Sequence, residues 1–331
     1  MSEQILEQGV PSLPPQFQQF ADDLIAWTKL KVARAMTQPR SADVLERDLA
    51  TIHQKWRATN PDSAKRAAAK LSRLATKYAR DPRFARFAGV NMAAPGSLDA
   101  VDFVPRNLTA AEVGPLITRI GGGPLVIAPP IAPEATNKIL RLHTKYLKCL
   151  DETDEWSSSD EIVWSVTWVT PTGDTGYRWW RRVDFDKGET KSIDWTGSFN
   201  VPQKWPNKFS FVFSMLEEDQ TNAAQVVEQT WLKLKDKVHE YIEKFGQWIA
   251  GLIGFSEIGS IISAILKWIV DSIIGWLISI FAPDPMGTFT YTVTLNGGMN
   301  WTATGNTILP VTITHTGSGG KYHTGLEFIL A

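Results

Sequence analysis

The side chains best placed to do chemistry are carboxylates. Asp151-Glu152-Thr153-Asp154-Glu155 runs on to Ser157-Ser158-Ser159-Asp160-Glu161, Glu217-Glu218-Asp219 forms a second group, and Asp174, Asp184 and Asp186 fall between them. Oxygen-rich loops suit Ca2+, which takes roughly six to eight oxygen ligands from several points of a chain. Asp151, Asp154, Asp160, Glu218 and Asp219 are the expected ligands, although no EF-hand loop or RTX glycine repeat is present. Other constellations are poorer. His53, His143, His239, His315 and His323 are scattered, without HExxH or zinc-type spacing. Cys149 follows Lys148 but has no histidine partner in sequence, and it reads as a strand cysteine. The stretch Gly254-Phe255-Ser256-Glu257-Ile258-Gly259 misses the nucleophile elbow by one residue and lies in helical sequence. Gly121-Gly122-Gly123-Pro124 lacks the Lys-Ser/Thr of a phosphate loop. No enzyme is expected.

The strongest signal is physical. Residues 245–282 read FGQWIAGLIGFSEIGSIISAILKWIVDSIIGWLISIFA, with Glu257, Lys267 and Asp271 as the charges. A helix over 258–282 would be roughly 37 Å long, more than the ~30 Å of a hydrocarbon core. Lys267 and Asp271 are four apart, so they share a helix face and can offset one another. The residues expected to meet lipid are Trp248, Ile249, Leu252, Ile253, Ile261, Ile262, Ile265, Leu266, Trp268, Ile269, Ile273, Ile274, Trp276, Leu277 and Ile280. Lys267 and Asp271 would face a partner or pore. An Ile265→Asp change is expected to abolish permeabilisation while leaving the sandwich folded. An all-round apolar helix is also what a buried core or an oligomer interface requires.

The elements that must position these groups follow from periodicity. Phe17, Phe20, Leu24, Trp27 and Leu30 recur at three and four; Leu45, Leu49, Ile52 and Trp56 follow after Ser41, a good N-cap; a third helix starts at Asp62-Ser63. That third segment carries Lys65, Arg66, Lys70, Arg73, Lys77 and Arg80 on one face. Beyond a Pro/Gly-rich stretch, alternation takes over. Leu140, Leu142, Tyr146 and Leu150 mark one strand face, Ile162 to Trp168 another, and Phe209, Phe211, Phe213 and Met215 the clearest. Alternation resumes with Phe289, Tyr291, Val293 and Leu295, then around Trp301, Ile308–Thr314 and Tyr322–Leu330. Between the two sets, Val226, Val227, Trp231, Leu234, Val238, Tyr241 and Ile242 form the apolar stripe of an amphipathic helix.

The expected fold is α+β. Residues 1–88 form a helical domain and 89–138 a linker. Residues 139–220 and 285–331 form an antiparallel β-sandwich, interrupted by helices at 221–284. The 331 residues carry a net charge of -1, so no global field points to nucleic acid, and fourteen tryptophans suit both large sandwich cores and bilayer interfaces. One cysteine excludes an internal disulfide framework. MSEQILEQGV has no basic n-region or apolar h-region, so the expectation is a cytoplasmic protein in its producer, delivered by a dedicated secretion or injection machine.

The acidic segment CLDETDEWSSSDE and the strands over 139–220 and 286–331 resemble C2-type calcium- and lipid-binding sandwiches, with Asp151, Asp154 and Asp160 at a first acidic loop. The segment also resembles openings of uncharacterised bacterial β-sandwich proteins. The apolar insert, in that feature alone, resembles pore-forming colicin-type domains, which hide such a hairpin until a bilayer is met. The resemblances imply a bacterial membrane-active effector or toxin, with lipid as partner and Ca2+ as modulator. The alternative is a non-enzymatic binding or structural protein that keeps the apolar helices covered, with a protein partner over them.

Overall fold

The computed structural model describes residues 5–8, 15–37, 43–87, 98, 101, 103, 109, 138–153, 159–172, 174–180, 182–202, 207–218, 222–253, 258–282, 284–295 and 308–331. The expected linker over 89–138 and the strand around Trp301 lie almost wholly outside these residues.

The helices fall in two groups along the chain. α1 (Pro15–Thr37) buries Phe17, Phe20, Leu24, Trp27 and Leu30, as their spacing predicts. α2 (Val44–Thr59) is capped by Asp43, whose carboxylate accepts from the Glu46 amide at 2.7 Å. The expected cap, Ser41, lies outside the described residues. α3 (Pro61–Ser72) opens with Pro at its first position, where no amide donor is needed. α4 (Leu74–Arg80) follows after a break at Arg73 and leads to a 3-10 turn (Pro82–Phe87). The amphipathic insert is α5 (Ala223–Ile253), and the apolar run is α6 (Ile258–Phe281).

Ten strands make two antiparallel sheets: β1 (Ile5–Gln8), β2 (Ile139–Asp151), β3 (Asp160–Val169), β4 (Thr175–Trp179), β5 (Val183–Phe185), β6 (Thr190–Asn200), β7 (Asn207–Glu217), β8 (Asp284–Leu295), β9 (Ile308–Gly317) and β10 (Gly320–Leu330). One sheet has the order β1-β8-β7-β3-β4, with β5 also on β3, and the other β6-β2-β10-β9. Helices α5 and α6 fall between β7 and β8, which are neighbours in one sheet, so they are an insertion into a hairpin connection.

The inner faces of the sheets share one core. Ile162, Trp164 and Val166 of β3 and Phe209, Phe211, Phe213 and Met215 of β7 meet Leu140, Leu142, Leu147, Tyr322 and Phe328 of the other sheet. Phe211 and Phe328 pack with ring centres 5.4 Å apart.

Two local features depart from the expected pattern. β2 carries a bulge between Thr144 and Tyr146, which reverses its alternation. The inward residues are therefore Leu140, Leu142, Leu147 and Cys149, and not Tyr146 or Leu150. Tyr146 instead lays its ring over its cross-strand partner Gly325, where a Cβ would come within 2.1 Å of that ring. The second is β1: residues expected to form a polar arm pair antiparallel with β8, Ile5 opposite Thr294.

The helices form a second core on the outer face of the β1-containing sheet. Phe17, Phe20 and Trp27 of α1, Leu49 and Trp56 of α2, the stripe of α5 and the buried residues of α6 join Val163, Val169, Val212 and Leu216 of that sheet in one cluster. The N-terminal helices therefore pack on the insert. The described layers run as sheet, sheet, then helices.

Candidate functional site

The site is α6 and whatever covers it. Along one side the helix runs antiparallel to β8 in a matched ladder. The Lys267 ammonium donates to Thr292 Oγ1. One turn on, Thr290 Oγ1 donates to the Asp271 carboxylate at 2.7 Å. A further turn on, Gly275 faces Thr288, whose Oγ1 would stand 3.8 Å from a Cβ added to the glycine. Four helical residues rise about 6 Å and two strand residues about 6.8 Å, so the two sets of side chains stay in step.

The sheet face under this ladder is rich in hydroxyls. Ser165 and Thr167 of β3, Ser210 and Ser214 of β7, and Thr290, Thr292 and Thr294 of β8 are all buried. Val163, Val169, Val212 and Leu216 lie among them. An ammonium and a carboxylate from the helix itself find hydroxyl partners there.

The remaining sides of α6 meet protein too. Ile265, Leu266, Ile269, Ile273, Ile274 and Leu277 are 0–1% exposed, Ile280 is 8% exposed, and Ile249 of α5 is buried. Trp248, Trp268 and Trp276 are half-buried at the margin of the same cluster. The side chains of Leu252, Ile253, Ile261 and Ile262 lie outside the described part. At the C-terminal end, the Phe281 ring sits 5.2 Å from both His53 and Trp56 of α2. Lys70 of α3 donates to the Ser279 carbonyl at 2.7 Å, and the Lys29 ammonium lies 5.5 Å from the centre of the Trp276 indole. Phe245 of α5 stacks on Phe20 at 4.0 Å. The residues expected to touch lipid are thus covered in this structure wherever they are described.

Several ionisable groups lie under the cover. Lys31 is 3.1 Å from Asp43 and 3.2 Å from Glu46, and Arg34 is 3.2 Å from Glu46, which ties α1 to α2 through buried charges. Burial lowers the His53 imidazole to about 3, with Thr230 Oγ1 of α5 at 3.3 Å from Nε2. Burial also raises Asp23 to about 6, against the pull of Arg86 at 3.0 Å. None of this was read from the sequence. The available signal was negative: the positions of β3, β7 and β8 that alternate with the sandwich core carry mainly Ser, Thr, Val and Leu, with Glu161 and Lys208 near the strand ends, where β2 and β6 carry Arg141, Lys145, Lys148 and Asp194. A strand face without charge between its ends announces cover.

The acidic residues are placed differently from a converging set. Asp160, 2% exposed, accepts from the Thr153 amide at 2.9 Å, from Thr153 Oγ1 at 2.7 Å and from the Tyr322 hydroxyl. Its oxygens lock the β2–β3 connection to β10. Asp151 pairs with Lys187 at 2.8 Å on the surface. Glu218 accepts from the Ala224 amide at 2.9 Å, so it caps the first turn of α5, where a carboxylate is favoured by the helix dipole. β7 and β3 do bring Glu217 and Glu218 beside Ile162 and Glu161 at one sheet end, where Arg182 holds Glu161 at 3.1 Å. Asp154 and Asp219 lie outside the described residues. Among the described residues, no group of three or more His, Cys, Asp or Glu side chains is arranged to hold a metal ion. Asp160→Ala is expected to destabilise the protein by about 3 kcal/mol, because it leaves the Thr153 amide and the Tyr322 hydroxyl buried without an acceptor. Asp151→Ala is expected to leave the urea midpoint unchanged; equal effects of the two would show that burial of Asp160 carries no weight.

Among the described residues, no helix is long and apolar enough to cross a membrane. No family model matches the chain, and no curated protein or solved structure gives a significant match.

Proposed function

We propose that the chain is a membrane-active bacterial effector or toxin whose α5–α6 hairpin is stowed in the form described here and enters a lipid bilayer on release. The observation that carries this reading is the surface on which α6 rests. A permanent core helix gains most from apolar partners, about 25 cal/mol per Å2 of apolar area buried. The β8 side offers hydroxyls, and a buried lysine is seated on a threonine. Leaving β8 for lipid gives up hydroxyl contacts as well as apolar ones to the neighbouring strands, while the outer helices α1 to α3 supply the cover that has to be lifted. Dye release from vesicles containing anionic lipid, at neutral and acidic pH and with and without millimolar Ca2+, tests the reading. Release in any arm supports it, and a calcium dependence would give the acidic loops a part in it.

A second reading rests on a different observation, the near-complete burial of Ile265, Ile269, Ile273 and Leu277. Here the hairpin is a permanent core of a non-enzymatic binding or structural protein. Vesicles that neither bind the protein nor leak under any of these conditions favour it.

A further inference from the structure

The outer surface of α3, α4 and the 3-10 turn is strongly basic. Residues 61–87 hold eight Lys or Arg and two acids. Lys65, Arg66, Lys70, Arg73, Lys77 and Arg80 are all exposed, as the sequence predicts for one helix face. Of the two acids, Asp81 is held by Arg83 at 2.8 Å. This surface is continuous with the stowed helix. Lys70 reaches the carbonyl of Ser279 on α6. Burial, and after it the nearby charge of Lys77, lowers Lys29, the residue whose ammonium lies over the half-buried Trp276 of α6.

We propose that this basic face is the docking surface for an anionic bilayer, and that it sets the C-terminal half of α6 down beside the headgroups. The inference rests on the membrane reading above and adds to it where contact begins. Three features select a lipid surface over an acidic protein or a nucleic acid. The bases lie exposed along two consecutive helices, so they can meet a layer of charge together. Half-buried indoles, Trp276 above all, border the patch, and tryptophan is the side chain that settles at headgroup depth. The patch also touches α6, the apolar helix that would follow it into lipid, which a nucleic-acid surface would have no use for.

The test is co-sedimentation of the full chain with vesicles of phosphatidylcholine alone or with phosphatidylserine added, read together with dye release from the same vesicles. The variant is the triple change Arg73→Gln, Lys77→Gln, Arg80→Gln. Each base close to an anionic surface contributes about five-fold to binding, so the triple variant should bind about a hundred-fold more weakly. Binding should also fall steeply with added salt, since exposed charges are screened within ~10 Å at 0.1 M. Unchanged circular dichroism would confirm that the variant is folded. Wild-type protein that ignores phosphatidylserine, or a triple variant that binds as the wild type does, overturns the docking surface. So does tight binding to a duplex oligonucleotide with no binding to vesicles. Salt-sensitive binding lost in the variant, but with no dye release from wild-type protein, leaves docking standing and removes insertion.

Discussion

Lowering the pH from 7 to 5 is expected to destabilise the protein by a few kcal/mol, through His53 in the helical cover of α6 and His315 in the sandwich. An imidazole held near 3 in the folded chain binds a proton in the unfolded chain near 6.5. Its neutral burial is therefore free of penalty above pH 6.5, and stability drains away as the pH falls from there towards 3. At pH 5 that loss is about 2 kcal/mol. His315, buried beside Phe289 in the sandwich and also lowered to about 3, adds about the same. Asp23 works in the other direction. Raised to about 6 by burial, it costs stability above pH 6 and returns about 1 kcal/mol by pH 5. Asp22 and Glu218, also pushed up by burial, act in the same sense as Asp23. The histidines win because two of them titrate over this window with the larger displacement. Urea midpoints of the wild type and of His53→Gln at pH 7.5 and 5 check this, with the variant expected to lose about two thirds or more of the pH dependence. An acid-stable wild type, or an unchanged slope in the variant, contradicts it. Because His53 packs on Phe281, the loss of stability at that residue falls on the cover of α6 itself.

Ile265→Asp is the second large effect, and the structure changes what it tests. From sequence alone the substitution is a block to lipid entry that leaves the sandwich folded. Ile265 is fully buried in the helical core, so a carboxylate there would be a buried charge without a partner. The expected cost is about 4 kcal/mol or more. It should fall unequally, because the sandwich core between the two sheets is a separate buried cluster. Amide hydrogen exchange should show α1, α5 and α6 losing protection while β2 and β10 keep theirs. Stability within about 1 kcal/mol of wild type would mean that the helix is not held as described.

Some of this was legible in the chain. The three-and-four spacing of Phe17 to Leu30 gave α1 because a single apolar stripe on a helix has one periodicity. Phe209 to Met215 gave β7, and the Thr/apolar alternation of Thr288 to Leu295 gave β8 for the same reason. The position of the helical insertion between them followed from the change of period. What could not be read was pairing. Ile5–Gln8 is too short and polar to announce a strand, and it becomes one because β8 offers a free edge. The bulge after Thr144 moves Tyr146 and Leu150 off the expected face, and one extra residue leaves no mark in composition. Lys267 and Asp271 were placed on one face of a helix by their spacing, but spacing does not say what that face meets. The answer, a threonine ladder, depends on the run of β8 beneath α6.

The stowed hairpin is tested most directly by fastening it down. Gly275 and Thr288 face each other, Oγ1 and Cγ2 of the threonine lying 3.8–3.9 Å from a Cβ built on the glycine, so a pair of cysteines there would stand side by side across α6 and β8. In the double variant Gly275→Cys, Thr288→Cys, an oxidised bond would tie α6 to β8, and the natural Cys149 is buried in the other core, away from it. The measurement is dye release from anionic vesicles by the oxidised and the reduced protein. Release at least about ten-fold slower when oxidised, and restored by reductant, is the expected result, because ~1.4 kcal/mol of added barrier already suffices for that factor. Equal release by the two forms would show that α6 never leaves the sheet, and would contradict the account.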